Sequence, residues 1–167
     1  MKSKIAFILG SDSDLPFIQN GVELLRRFAV PLEIEISSAH RTPERTLQLV
    51  RDFEAGGVGV IIAAAGGAAH LPGVVASHTL LPVLGVPIPS ALSGLDSLLS
   101  MVQMPAGVPV ATFGIGAAGA TNAALFAMAL LALHDPELEQ KLRSYRGEQR
   151  DQVLEKSRKL KDKLAGG

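Results

Sequence analysis

At 167 residues the chain is sized for one domain with a substantial core. Sixteen basic side chains balance sixteen acidic ones, which excludes recruitment by bulk charge to nucleic acid or to an anionic membrane. The absence of cysteine excludes disulfides, thiolate nucleophiles and cysteine-held metals.

In chain order, KIAFILG (4–10) is a short apolar run ending in glycine and predicts a first strand. SDSDLPFIQNGVELLRRF follows, with Asp14 placed to cap a helix and Pro16 suited to its first turn. PLEIEIS (31–37) predicts a second strand, and Thr42-Pro43-Glu44 opens a second helix that closes at Gly56-Gly57. VGVIIAAAGG (58–67) is nearly continuous in its apolarity, as a strand buried on both faces of a parallel sheet must be, and runs into the loop GGAAHLPG. LPVLGVPI (81–88) predicts a fourth strand, GLDSLLSMVQM a helix, and GVPVATFGIG (107–116) a fifth strand. A long apolar helix is expected from about Ala120, with a break near His134-Asp135-Pro136, and then a charged helical tail from about 135 to 167.

Strands alternating with helices at short connections predict an α/β fold: a three-layer α/β/α sandwich around a doubly wound, flavodoxin-like parallel sheet, in one domain over 1–167. The apolar run from Ala123 to Leu133 reaches about half of the roughly 20 residues that span a bilayer, so no membrane partner is expected. The opening MKSKIAFILGSDSD turns polar too soon for a signal peptide, so the expected location is the cytoplasm. Between Glu54 and His134 the sole charged side chain is Asp96, whereas half of all charges lie between Asp135 and Lys163. A middle so short of charge predicts a homo-oligomer that covers part of it, with the tail packed on a neighbouring subunit.

Ligands of such folds bind outside the carboxyl ends of the strands, where strand order reverses. GSDSD after the first strand offers hydroxyls and backbone N–H groups to an anion at a helix start, although Asp12 and Asp14 would repel a phosphate at contact. SSAHRTP after the second supplies a cation, Arg41, for bidentate phosphate contact, with the Ser38 hydroxyl beside it. His40 is the leading acid/base candidate, directed into the crevice between the first and second strands. In the third loop the near absence of side chains at Gly66, Gly67, Ala68 and Ala69 permits close approach to a flat ligand, while His70 either orients this loop or serves as a weaker base. His78 and His134 are expected to be structural, and Asp96 either caps its helix with Ser93-Gly94 or makes a functional contact. No pair of histidines or carboxylates has ligand spacing, so no metal is expected.

GSDSD, SAHRTP, AAGGAAHLPG, LPVLGVP, LSGLDSLLSMVQMP and GVPVATFGIGAAGATNAAL, in this order and spacing, closely resemble the bacterial N5-carboxyaminoimidazole ribonucleotide mutases of purine synthesis, over about residues 5–133. The resemblance implies a homo-octamer and transfer of a carboxylate from an exocyclic nitrogen to C4 of an aminoimidazole ribonucleotide, without metal or organic cofactor. It implies that Ser11, Asp14 and Arg41 bind the ribonucleotide, that Ser13 and Ser38 help to hold its phosphate, and that Gly67, Ala68, Ala69, His70 and Leu71 line it. His40 is implied as the proton carrier, with carbon dioxide released and recaptured inside the site. Two departures stand out: GVPIPSALSG is about one residue shorter than usual, and GIGAAG has Ala117 where many relatives carry lysine. The sister enzymes that carboxylate aminoimidazole ribonucleotide directly resemble this family in fold and histidine, but carry lysine after that histidine and lack the GGAAHLPG loop. A nucleotide-sensing module without turnover is the alternative from another class.

Overall fold

A computed structural model describes residues 3–165. The apolar runs become five parallel strands, β1 (Lys4–Leu9), β2 (Leu32–Ile36), β3 (Val58–Gly66), β4 (Val83–Ile88) and β5 (Ala111–Thr112), in the spatial order β2-β1-β3-β4-β5. Between them run α1 (Leu15–Arg27), α2 (Pro43–Ala55), the short α3 (Leu71–Ala76), α4 (Leu95–Val102) and α5 (Gly116–Ala132), and α6 (Pro136–Ala165) follows. This is the flavodoxin-like three-layer sandwich expected from the alternation of elements.

The residues of β1 alternate between two buried faces. Ala6 and Ile8 join Ile61 and Ala63 of β3 in a cluster with Val50 and Phe53 of α2, Val75 of α3 and Met101 of α4. Ile5, Phe7 and Leu9 are equally buried and point the opposite way. There α1 and α5 approach so closely that a Cβ on Gly21 would sit 3.0 Å from the Ala120 carbonyl oxygen. The register aligns the carboxyl ends of the strands: Leu9 lies level with Ile36 and with Ala64, and Ala64 with Val86. Four loops therefore emerge side by side along one edge of the sheet, and the order reverses between β1 and β3, not between β1 and β2.

Several local expectations are corrected. The fifth strand keeps two residues instead of ten, because it lies at the sheet edge and Pro109 has no N–H to give the ladder; Phe113 N–H to Gly85 C=O, at 2.9 Å, extends the contact by one bond. Part of the third loop is helical, since Pro72 suits a first turn and α3 begins at Leu71. The apolar helix begins at Gly116, about one turn before Ala120. Asp14 does not cap α1 through its side chain; a turn of 3-10 helix (Asp12–Asp14) precedes α1, and the Asp14 carboxylate closes that turn's capping box with Ser11.

The chain divides into two compact units, residues 3–131 and 132–165. The second is mostly α6, whose start is capped by Asp135 through Leu138 N–H at 3.0 Å and whose surface carries ion pairs such as Lys141–Glu137 at 2.7 Å. Its apolar side chains Val153, Leu154, Leu160 and Leu164 are exposed.

Candidate active site

The loops after β1, β2, β3 and β4 enclose a cavity of about 500 Å³, within the size range of small-molecule sites. Ser11, Ser13, Asp14, Ser38, His40, Arg41, Ala68, His70 and Leu71 line it, so most of the residues singled out from the sequence converge. Gly67 and Ala69 do not line it. Ala69 is 1% exposed and packs into the hydrophobic cluster, while Gly67 takes a left-handed conformation (φ 63°) that turns the chain toward the cavity.

The turn carrying His40 is held by short-range bonds. The Thr42 hydroxyl donates to Ser38 C=O and accepts from Ser38 N–H, both at 3.0 Å, and Thr42 N–H reaches the same carbonyl at 2.8 Å. Beneath the turn, the buried hydroxyls of Ser37 and Thr46 bond to each other at 2.8 Å. Arg41 N–H bonds the Ser38 hydroxyl at 3.2 Å, and its guanidinium lies over the same oxygen with Nε at 3.5 Å. The guanidinium makes no ion pair among the described residues, which leaves a cation at the cavity wall. His40 reaches across the end of β1 to the third loop, where its Nε2 lies 2.9 Å from Nδ1 of His70, with the rings edge-to-face at 85°. One of these nitrogens must carry a proton and the other a lone pair, so the two imidazoles select their tautomers together.

The first loop is a compact set of acceptors and donors. Asp14 is 5% exposed, and burial raises its carboxyl above the usual aspartate value; bonds from the backbone of Ser11 and Gly10 and from Ser13 act in the opposite direction but are outweighed. Its Oδ2 accepts Ser11 N–H at 3.1 Å. The exposed Asp12 accepts Ser13 N–H and the Ser11 hydroxyl, each at 3.0 Å, so it holds the donors an anion would claim.

The remaining wall comes from Gly10, Phe17, Ala39, Ala65, Gly66, Ile88, Pro89 and Ser90. Phe17 reads from sequence as part of a helix interior, so only three-dimensional placement reveals it. Ser90 lies in GVPIPSALSG after the fourth strand, where nothing in its residue type sets it apart from Ser93. The fifth loop lines none of the cavity but backs it, since a Cβ on Gly116 would lie 3.6 Å from Pro89 and 3.7 Å from Phe17. Among the described residues no three ligating groups cluster as a metal site would require, and no helix is long and apolar enough to cross a membrane. His78 follows α3, its Nδ1 lies 2.9 Å from Val74 C=O, and it does not line the cavity.

The model of one protein family, AIR carboxylase, matches residues 4–152. This chain belongs to the AIR carboxylase family. It is 53% identical over 162 residues to the N5-carboxyaminoimidazole ribonucleotide mutase of Pyrococcus horikoshii, covering 96% of this chain and 90% of the relative. Against the Escherichia coli protein of the same name, identity is 53% over 92% of this chain and 91% of the relative. The crystal structure of Treponema denticola PurE superposes with a TM-score of 0.86 at 28% identity, covering 94% of this chain and 98% of that one. The four loops that line the cavity fall inside the matched segment.

Proposed function

We propose that this chain is an isomerase of purine biosynthesis, converting N5-carboxyaminoimidazole ribonucleotide to 4-carboxy-5-aminoimidazole ribonucleotide. The observation that carries the reading is the convergence, in one cavity at the strand-order reversal, of a bonded histidine pair with an unpaired arginine and a buried carboxylate. Arg41 with the hydroxyls of Ser13 and Ser38 suits a phosphate, and Asp14 suits the hydroxyls of a ribose. The flat base then lies against Ala65, Gly66 and Ala68.

In this reading the carboxylated nitrogen receives a proton from His40 as its bond to the carboxylate breaks, and carbon dioxide is left in the cavity. The small side chains of Ala39, Ala65 and Ala68 leave room for it and limit water. C4 of the electron-rich ring attacks the carbon dioxide, and the C4 proton passes to His40, restoring its starting state. Atoms and charge balance without a cofactor. The protein acts in the cytoplasm as a homo-octamer, with α6 packed on a neighbouring subunit. Leu80 at 101% exposure, with Leu92, Leu95 and Phe126 also exposed, supports burial of this apolar surface between subunits.

The test supplies purified protein with N5-carboxyaminoimidazole ribonucleotide, and separately with aminoimidazole ribonucleotide plus bicarbonate, and follows the C4-carboxylated product. Efficient use of the first substrate is expected; efficient use of the second alone would assign direct carboxylation instead, and binding without turnover in either would assign a sensing module. His40→Asn is expected to lose about 10²–10⁴-fold in kcat, the range for a positioned acid/base.

A further inference from the structure

The lone charge of the apolar middle, Asp96, does not line the cavity and makes no side-chain cap for α4, whose N-cap is Gly94 (φ 87°). It instead accepts a hydrogen bond from the Ser90 hydroxyl, and this bond is the main influence holding its carboxyl below the usual aspartate range. With its proton committed to Asp96, the Ser90 oxygen has lone pairs to offer, and it accepts Gly67 N–H at 3.2 Å. From Gly67 the path to the histidine pair is short. Gly67 C=O accepts Ala69 N–H at 2.8 Å, Ala68 C=O accepts His70 N–H at 2.7 Å, and His70 meets His40 at 2.9 Å. The far end of the path is also fixed: the buried Ser97 hydroxyl donates to Ile88 C=O at 2.8 Å, fastening the first turn of α4 to the end of β4.

We propose that Asp96 and Ser90 are positioning residues, a strut from α4 that holds the Gly66–His70 loop where His70 meets His40. The carboxylate aims the Ser90 dipole; without it the hydroxyl rotates freely and its hold on Gly67 N–H weakens. The two loops are in contact at this point, since a Cβ on Gly66 would lie 3.7 Å from the Cβ of Ser90. The strut therefore gives the fourth loop a task that does not require it to touch the substrate. Its effect on turnover rests on the reading of His40 as the proton carrier.

The full-length chain is assayed as Ser90→Ala, Asp96→Ala and the double variant, each alone and combined with His70→Leu, together with the hydrogen exchange of the Gly67 amide. Loss of one neutral hydrogen bond at the loop is expected to lower kcat about fivefold, with KM changed less than about twofold, and the double variant to match the worse single. In the His70→Leu background, which has no group to meet His40, Ser90→Ala is expected to cost almost nothing more, and Ser90→Thr, which keeps the hydroxyl, to retain most activity. Gly67 is expected to exchange faster in both single variants. A raised KM at unchanged kcat in Ser90→Ala would overturn the proposal in favour of direct substrate contact. Full multiplication of the Ser90 and His70 effects, or unchanged Gly67 exchange, would also overturn it. Failure of the His40 reading shows differently, as full activity in His40→Asn, and leaves the exchange result to decide the strut by itself.

Discussion

Replacing Asp14 by asparagine separates the cost of a buried charge from the use made of it. The residue is buried, and this burial is the largest influence on its carboxyl, outweighing the Ser11 and Gly10 backbone and Ser13 bonds. Its folded pKa is raised, so the protonated form is favoured by folding. That contribution is fully present below the ordinary aspartate value of about 4, and it is lost as pH rises through the raised folded pKa. Asparagine keeps an oxygen for Ser11 N–H, now at 3.1 Å from Oδ2, but carries no charge. The melting temperature of Asp14→Asn is therefore expected to equal or exceed that of the parent at pH 7 to 8, with the difference closing below about pH 4. Ligand binding should move the other way. A hydroxyl bonded to a carboxylate is worth about 1.5–3 kcal/mol against about 1 kcal/mol for a neutral acceptor, so the variant should bind the ribonucleotide on the order of tenfold more weakly. Thermal melts across pH and calorimetric titration measure the two quantities. A variant less stable than the parent at neutral pH, with the gap closing in acid, would show that the ionised carboxylate is favoured by folding and would refute the reasoning.

The cation at the cavity wall gives a second expectation: Arg41→Gln should raise KM about tenfold or more with little change in kcat, and the parent's KM should rise with salt while the variant's does not. Both histidine rings are exposed, so the bond between them is worth about 1 kcal/mol at most; His70→Leu should cost about fivefold in kcat, far less than His40→Asn. His70→Asn, whose amide can stand near the Nδ1 position, should recover part of that loss in the same steady-state assay. Phe53→Ala, at a core position 1% exposed, should lower stability by about 3–5 kcal/mol in denaturant titration while leaving the cavity residues in place. Gly119→Ala should be worse tolerated than its size suggests, because the new Cβ would lie 1.6 Å from the Gly114 carbonyl oxygen, and loss of soluble protein on expression checks it.

The elements most visible in the sequence were those whose apolar pattern is dictated by burial on two faces. VGVIIAAAG has no alternation to misread and becomes β3 nearly to the residue. The fifth strand shows the limit of this signal: GVPVATFGIG is as apolar as a strand should be, but edge position and proline leave two residues in the ladder. Site residues were visible where their chemistry is rare along the chain. His40, Arg41 and Asp14 stand out because few other side chains in the loops carry charge or titrate near neutrality, and they do share the cavity. Ala69 packs into the core, a placement that its residue type does not disclose, because small residues look alike in sequence whether they face a ligand or a core. Ser90 was hidden for another reason. Its importance lies in two partners, Gly67 and Asp96, which are 23 and 6 residues away and are brought to it by the pairing of β3 with β4 and the start of α4.

The meeting of His40 and His70 above the end of β1 has a consequence for how the protein matures. β2 and β3 are not neighbours; β1 lies between them and pairs with both. The two imidazoles, thirty residues apart, come within reach only when β1 has been inserted and both ladders are in register. A partly assembled chain with β3 and β4 joined but β1 unplaced would possess the third and fourth loops and lack the pair. The histidine contact thus reports on both ladders at once, because it exists only where β1 pairs with β2 on one side and with β3 on the other.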